Sequence, residues 1–167
     1  MSTFTETVEI AAPRDRVWEV LADIGSIHRW NPGVKGSQTT SENPSGEGST
    51  RHCDLQRRGG KDVGFLEERA FDWREGEGYR IEITESNLPF REAVISFTLA
   101  DDGEQTRVGV SPAYALRFGP LGRALDALVV RRRYRKGMRD MLAGLKQYVE
   151  TGVEVDDRIP EFRPSPG

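Results

Sequence analysis

The chain opens with a β-type alternation of apolar and polar residues and then changes to a helical period. From Thr3 to Ile10 the apolar residues fall mainly on one parity, as in a half-buried strand. Pro13 suits the first turn of a helix, and the apolar residues that follow it recur at helical spacing. We therefore predict one strand, then a short helix that ends near Gly25. A second short helical turn is expected to stop before Pro32, because proline excludes helical geometry from the preceding residue.

The middle of the chain is typical of β-structure. Its strand-like segments are separated by short stretches rich in Gly, Pro, Asn and Asp, which favour tight turns. Connections this short predict antiparallel neighbours. The predicted strands are Val34–Ser41, Ser49–Gln56, Gly64–Arg74, Tyr79–Glu85, Ala93–Ala100 and Thr106–Leu116.

A long amphipathic helix is predicted from Leu121 to Val149, since no proline interrupts this stretch and its apolar residues recur at steps of three and four. We expect one domain over residues 1–151 and a flexible tail over 152–167, which carries three prolines. The predicted apolar stripe of the helix is Leu121, Leu125, Leu128, Tyr134, Met138, Met141, Leu142, Leu145 and Tyr148.

This order of elements predicts an α+β fold. A seven-stranded antiparallel sheet is expected to curve around the long terminal helix, with the two short helices after the first strand. A sheet bent around a helix often leaves a gap between the two layers. That gap is the candidate ligand cavity.

Composition narrows the functional classes. The 167 residues carry 24 Lys and Arg against 27 Asp and Glu, a net charge of -3, so no global excess of positive charge favours nucleic acid. A single cysteine excludes an internal disulfide and favours a reducing compartment. No signal-peptide core or run of about 20 apolar residues occurs. We expect a cytoplasmic protein without integral membrane association; the oligomeric state is left open.

Three stretches of the chain carry a family resemblance. They are Val8–Pro13 with Val17–Asp23, Trp30–Val34, and Arg69–Asp72 with Tyr79–Ile83 and Leu88–Arg91. In this order, they resemble three features of the helix-grip (SRPBCC, START-like) superfamily. These features are its first strand and helix, its tryptophan-proline signature, and its central hairpin with the following loop. This superfamily includes START lipid-transfer domains, the major birch pollen allergen, plant abscisic acid receptors and bacterial polyketide cyclase/dehydrase-like proteins, the branch suspected here. The resemblance implies the helix-grip fold but not one chemistry, because carriers, receptors and enzymes share that fold.

The predicted strand Gly64–Arg74 supplies the first candidate site. Alternation places Phe65, Glu67, Arg69, Phe71 and Trp73 on one face. If this face points inward, Glu67 and Arg69 enter the cavity close enough to pair, and a ligand could replace one partner. The alternatives are a solvated strand face and a structural ion pair. In the plant receptors a glutamate of this strand contacts ligand and a lysine after the tryptophan signature meets a ligand carboxylate; by that resemblance, Glu67 and Lys35 are the matching positions.

Two further polar residues could act in the cavity. His52 is interpreted either as a lining residue or as an exposed strand histidine, and its neighbour Cys53 as a small core residue. Tyr114 could direct its hydroxyl inward. Adjacent strand residues point to opposite faces, so His52 and Cys53 cannot share a metal, and no metal site is expected.

The apolar walls of the cavity are expected from the strands and the long helix. Some of these residues also form the core. The turns around 57–62 and 85–90 could gate the opening, or could be turns only. The basic run 131–136 is expected to be mostly paired or solvated, or to attract an acidic ligand or an anionic lipid surface. The candidate wall residues are Ile81, Ile83, Phe90, Ile95, Phe97, Val110, Leu128, Met138 and Leu142.

Two main functional hypotheses follow. One is a carrier or binder of a hydrophobic small molecule such as a lipid, polyketide or aromatic metabolite. The other is a cyclase or dehydratase that uses Glu67, His52 or Tyr114 for proton transfer. Nucleotide-binding and hydrolase motifs are absent from the sequence, and no cofactor is expected. A third hypothesis, a partner-binding protein with a vestigial cavity, stays open.

Overall fold

The computed structural model describes residues 1–57 and 60–155, and these residues form an antiparallel sheet with a long C-terminal helix. The strands are β1 Ser2–Thr3, β2 Glu6–Ile10, β3 Val34–Thr39, β4 Thr50–Arg57, β5 Lys61–Arg74, β6 Gly78–Ser86, β7 Phe90–Asp102 and β8 Gln105–Leu116. The helices are α1 Arg14–Ala22, a 3-10 helix Ile24–Arg29, α2 Gly119–Leu125, a π-helical turn Asp126–Val130 and α3 Arg131–Thr151.

The sheet confirms the predicted α+β helix-grip fold. The strands run in the order β1-β8-β7-β6-β5-β4-β3, and β2 also pairs with β8. All pairings are antiparallel, as the short turns predicted. The predicted first strand is divided into β1 and β2, so the sheet has eight strands rather than seven.

The core lies between the concave face of the sheet and α3. Helix α3 buries Met138, Leu142 and Leu145, which recur at steps of three and four, as predicted. The helix ends at Gly152, whose φ of 72° allows its N–H to bond Tyr148 O at 2.8 Å. Helix α1 closes one side of the same core with Val17 and Leu21.

The predicted helix 121–149 is correct in extent but not in the face that it buries. Leu121 is 79% exposed and Leu128 is 78% exposed, and Leu125 is also exposed. Only Gly122 and Asp126 of the first two turns are buried. The reason is that α2 and the π-helical turn lie beside the end of β8, so the sheet covers only the narrow face that carries these two residues.

The segment after α3 turns back onto the domain. Val155 N–H donates to Arg29 O at 2.9 Å, and the Glu154 carboxylate lies 3.5 Å from Arg29 Nε. The rest of the predicted flexible tail, and two residues of the predicted gate at 57–62, lie outside the described residues. Within the described part of the chain, no helix has the length and apolar character needed to cross a membrane.

Candidate functional site

The inner wall of the sheet carries two buried charges where β4 and β5 pair. Arg51 lies opposite Glu68, and Cys53 lies opposite Leu66. Arg51, Cys53 and Glu68 are buried, as is Ala70, the next inward residue of β5. Alternation along both strands therefore turns this guanidinium and this carboxylate toward the helix side of the sheet.

Arg51 and Glu68 form an ion pair inside the protein. Arg51 Nε donates to Glu68 Oε2 at 2.6 Å, and both side chains are only 3% exposed. A second guanidinium nitrogen, Nη1, donates to Ile24 O at 3.0 Å, and Cys53 Sγ lies 3.5 Å from Glu68 Oε2. Burying a charge is costly unless it is paired and hydrogen-bonded, so this cluster is a costly feature of the core.

The cluster holds defined protonation states near neutral pH. Burial opposes the charge of Arg51, but Glu68 together with Cys53 and Tyr79 favours it, and the pKa of Arg51 is raised. Burial raises the pKa of the Cys53 thiol to about 12, so it stays protonated. The buried wall therefore presents a fixed cation and a neutral thiol.

Tyr134 of α3 adds a phenol to this cluster from the helix side. Burial raises the pKa of Tyr134, and the negative charge of Glu68 raises it further. Among the described residues, the Tyr134 hydroxyl has no hydrogen-bond partner. Tyr134 is thus a neutral donor.

A row of apolar side chains, which we call the apolar track, runs from the ion pair to the protein surface. Along β4, β5 and β6, the inward residues beyond the ion pair are Leu55, Leu66 and Ile83. All three are only partly buried, whereas the inward residues nearer the ion pair on these strands are buried. We call the end of the domain formed by Leu55, Leu66, Ile83, Phe90 and Tyr134 the mouth.

Aromatic rings cover the mouth. The ring of Phe90 lies 5.7 Å from that of Tyr134 and 5.9 Å from that of Tyr114. Tyr114 and Tyr134 contact each other at 5.0 Å in an edge-to-face arrangement, and Phe4 contacts Tyr134 at 5.6 Å. Since Phe90 directly follows the turn between β6 and β7, a movement of that turn would shift one ring of the cover.

From Phe65 to Phe71 the predicted inward face of β5 lies on the outside of the sheet, and the interpretation of these residues is corrected. Trp73, beyond a register shift, packs against the core. Glu67 binds His52, and Arg69 pairs with Glu82 rather than with Glu67. Phe71 lies under the Arg80 guanidinium, 4.9 Å from ring centre to Cζ, and Phe65 stacks on His52. Long polar side chains shield these rings from water, so aromatic residues can occupy the outer face.

His52 and Lys35 are also on the outside. His52 Nε2 lies 3.0 Å from Asp54 Oδ1, and the pKa of His52 is raised by its hydrogen bonds to Glu67 and Asp54. Lys35 Nζ donates to Asp62 Oδ1 at 2.9 Å and is more than half exposed. The alternative of an exposed strand histidine therefore describes His52, and Lys35 is directed away from the interior.

Most predicted wall residues lie on the inner side of the sheet or on the facing helix. Ile83 and Phe90 are at the mouth, and the others are buried deeper, but their contact with a ligand stays a prediction. Leu128 is the exception, since it is exposed on the π-helical turn. The buried wall residues are Ile81, Ile95, Phe97, Val110, Tyr114, Met138 and Leu142.

The Tyr114 side chain is buried, but its hydroxyl is already engaged. It donates to the carboxylate of Asp126, which also accepts a hydrogen bond from Ser2. Burial raises the pKa of Tyr114, and Asp126 raises it further. Tyr114 therefore ties β8 to the π-helical turn.

Two surface pockets flank the domain. The larger, about 650 Å³, is an open groove around the β5–β6 turn, lined in part by Arg14, Asp72 and Arg80. The smaller, about 100 Å³, lies beside Tyr114 and Asp126. Neither pocket is lined by a residue of α3.

Comparison with known proteins identifies the family. Residues 1–150 match the family described as "Polyketide cyclase / dehydrase and lipid transport". The chain belongs to this family. Membership supports, in general terms, a role in hydrophobic-ligand binding or in cyclisation, without choosing between them. No curated protein matches the sequence significantly.

Solved structures confirm the helix-grip fold of this polyketide cyclase/dehydrase and lipid transport family member. A Thermus thermophilus protein superposes with a TM-score of 0.75 at 20% identity, covering 90% of this chain and 99% of that chain. A START superfamily protein from Mycobacterium smegmatis gives 0.70 at 16% identity, covering 90% and 99%. The di-domain ARO/CYC protein BexL gives 0.71 at 18% identity, covering 90% of this chain and 47% of that one. At these identities the likeness shows the fold alone.

The buried pair was missed in the sequence, although a signal for it was present. Cys53 was assigned to the core, and Arg51 shares its parity, so Arg51 should also point inward. On β5, Glu68 shares the parity of Leu66 and Ala70. The aromatic residues of the opposite parity on this strand favoured the other face as the inward one, and the prediction followed them.

Proposed function

We propose that this protein binds a hydrophobic small molecule with a polar oxygen group between β4–β6 and α3. Lipids, polyketides and aromatic metabolites fit this description. The observation that supports the proposal is the Arg51–Glu68 pair on the inner wall, at the end of an apolar track that opens at the mouth. Ligand sites of this kind combine apolar walls with a few polar groups that fix orientation.

The arrangement of side chains suggests how such a ligand would lie. Its apolar part would contact Leu55, Leu66 and Ile83, which are the partly exposed inward residues. Its oxygen could accept a hydrogen bond from the Tyr134 hydroxyl, which has no other partner in the described part of the chain. The guanidinium of Arg51 offers further donors beyond those bound to Glu68 and Ile24.

Titration with cis-parinaric acid, a fluorescent fatty acid, tests this proposal. Leu66→Trp should fill the track and weaken probe binding at least tenfold. Phe65→Trp is the matched control, because Phe65 is the adjacent residue on the outer face of the same strand, and its affinity should stay within about threefold of the unmodified protein. Equal affinities for the two variants, or no saturable binding by the unmodified protein, would contradict the proposal.

A second candidate function is acid–base catalysis in the same space. The specific observation is the unpartnered Tyr134 phenol, whose pKa is raised by burial and by the charge of the Glu68 carboxylate. These two groups are the candidates in place of Glu67 and His52, which face outward, and of Tyr114, which is already engaged. In an aldol cyclisation, Glu68 would take a proton from the carbon between two carbonyls. The resulting carbanion would add to a second carbonyl carbon, and the oxygen of that carbonyl, which becomes negative, would accept a hydrogen bond from Tyr134 and then take the proton from Glu68.

Tyr134→Phe separates the two functions. With a synthetic poly-β-ketone thioester as substrate, a cyclase should lose turnover by at least 100-fold, while parinaric acid affinity should fall by no more than about tenfold, the effect of one lost hydrogen bond. Tyr148→Phe on the same helix is the control and should keep turnover. Absence of turnover by the unmodified protein, or equal turnover by Tyr134→Phe, rejects catalysis by this pair and leaves the binding proposal standing.

A further inference from the structure

An apolar ridge is exposed where the C-terminal helical region begins. Phe118 is 60% exposed, Leu121 79% and Leu128 78%, and Leu125 and Val129 are exposed as well. Four of these residues are spaced by three, four and three positions, so they share one side of α2 and the π-helical turn. We call these five residues the ridge. Large apolar side chains concentrated in one exposed segment mark an interaction surface.

Among the described residues, arginines without an ion-pair partner precede, interrupt and follow the ridge along the chain. Arg123, Arg132 and Arg133 form no ion pair within the described residues, and Arg117 and Arg131 donate to the backbone oxygens of Phe90 and Thr3 instead. We call these five arginines the basic rim.

The charges farther along α3 are arranged differently. Arg135 and Arg139 pair with Glu6, and Lys136 pairs with Asp140. The only acidic residue from 117 to 139 is Asp126, whose carboxylate is buried and bound to Tyr114 and Ser2. Positive charge without a partner is therefore concentrated beside the ridge.

We propose that the ridge and the basic rim dock this protein on a membrane surface that contains anionic lipids. The ridge would enter the boundary between headgroups and acyl chains, and the arginines would meet the headgroup phosphates and carboxylates. An apolar helix face bordered by basic side chains is the pattern that binds such surfaces. This inference goes beyond the proposed function, because docking does not require an occupied pocket.

The charge pattern favours this partner over two others. A second copy of the chain docking ridge to ridge would bring ten rim arginines together without counter-charges. A nucleic acid would match the arginines, but it would leave the leucines of the ridge without an apolar partner. An anionic bilayer satisfies both features at once.

Docking would also bring the mouth close to the bilayer. Asp126 lies in the same π-helical turn as Leu128, and it binds Tyr114, whose ring covers the mouth together with Phe90 and Tyr134. A ligand leaving the mouth would have a short path into the lipid phase.

Vesicle sedimentation of the full chain tests the docking. We expect binding to phosphatidylcholine vesicles with 30% phosphatidylserine, weaker binding at 0.5 M NaCl than at 0.1 M, and much weaker binding to pure phosphatidylcholine. Arg132→Gln/Arg133→Gln should lower the partition coefficient about 30-fold. Leu121→Ser/Leu128→Ser should lower it at least tenfold.

Two control variants keep the ridge and the basic rim intact. Val153→Ser removes an exposed apolar residue elsewhere, and Arg16→Gln/Arg74→Gln removes two exposed arginines elsewhere; both should bind like the unmodified protein. The proposal is overturned by equal binding to both vesicle types, by unchanged binding of the ridge variants, or by a ridge-dependent dimer or RNA complex without vesicle binding. Parinaric acid titration without vesicles reports on the pocket alone, so failure here is distinguishable from failure of the proposed function.

Discussion

At the scale of single residues, neighbouring glutamates on β5 have opposite roles. Glu68 is buried in the core, where it pairs with Arg51, whereas the side chain of Glu67 is one third exposed and binds His52. Removing one partner of a buried pair leaves an uncompensated charge, but exposed pairs contribute little. The two positions therefore form a matched test of the buried pair.

Glu68→Gln is expected to lower the free energy of unfolding by about 3–5 kcal/mol, and Glu67→Gln by less than about 1 kcal/mol. Urea denaturation monitored by circular dichroism measures both. If Glu68→Gln does not fold, Arg51→Met/Glu68→Leu should fold, because it removes both charges and restores apolar packing. Equal losses for the two glutamine variants would show that the Arg51–Glu68 pair is not buried in solution.

His52 makes stability depend on pH. Its pKa is raised in the folded protein by Glu67 and Asp54, so its contribution is complete below the unfolded pKa of about 6.5 and is lost as the pH rises through the folded value. The difference in unfolding free energy between the unmodified protein and His52→Gln should therefore be larger at pH 6 than at pH 8.5. A difference that does not change, or that grows with pH, would contradict the raised pKa.

At the scale of elements, α3 contains two glycines in contrasting surroundings. A Cβ at Gly144 would lie 2.0 Å from Trp30 O, whereas a Cβ at Gly137 would meet nothing within 4 Å. Gly144 thus allows the helix to approach the backbone beside the tryptophan-proline signature. Gly137 has no such role.

Alanine substitution should separate these two positions. Gly144→Ala is expected to destabilise the fold by about 1–3 kcal/mol because the helix must shift away from Trp30. Gly137→Ala should stabilise it by about 0.5–1 kcal/mol because alanine favours the helix. Thermal unfolding of both variants measures the difference. A stabilising Gly144→Ala would mean that α3 does not sit this close to Trp30.

The faces of two elements could not be deduced from their sequences. On β5, apolar residues occur on both parities, and the choice depends on Arg51 across the strand pair and on Arg80 and His52 covering the outer rings. On α2, Leu121 and Leu128 continue the helical stripe, but the sheet does not extend far enough to cover them. Alternation and period fix which residues share a face but not which face another element covers.

At the scale of the whole molecule, element types and order were predictable. Turn residues such as those of 43–46 and 101–103 separate the strands, and short turns force antiparallel neighbours. The candidate site was predictable only in part. The apolar wall followed from alternation, whereas the only signal for the buried pair was the parity that Arg51 shares with Cys53 and that Glu68 shares with Leu66 and Ala70, and the aromatic residues of the opposite parity on β5 competed with it.

The central claim is that the guest lies on the inner side of the sheet. Photolabelling with a diazirine fatty acid, followed by residue-level mass spectrometry, tests it directly. We expect saturable labels on Leu55, Leu66, Ile83 and Tyr134. Labels confined to outer residues such as Phe65 and Phe71, or to the groove around Asp72 and Arg80, would contradict it.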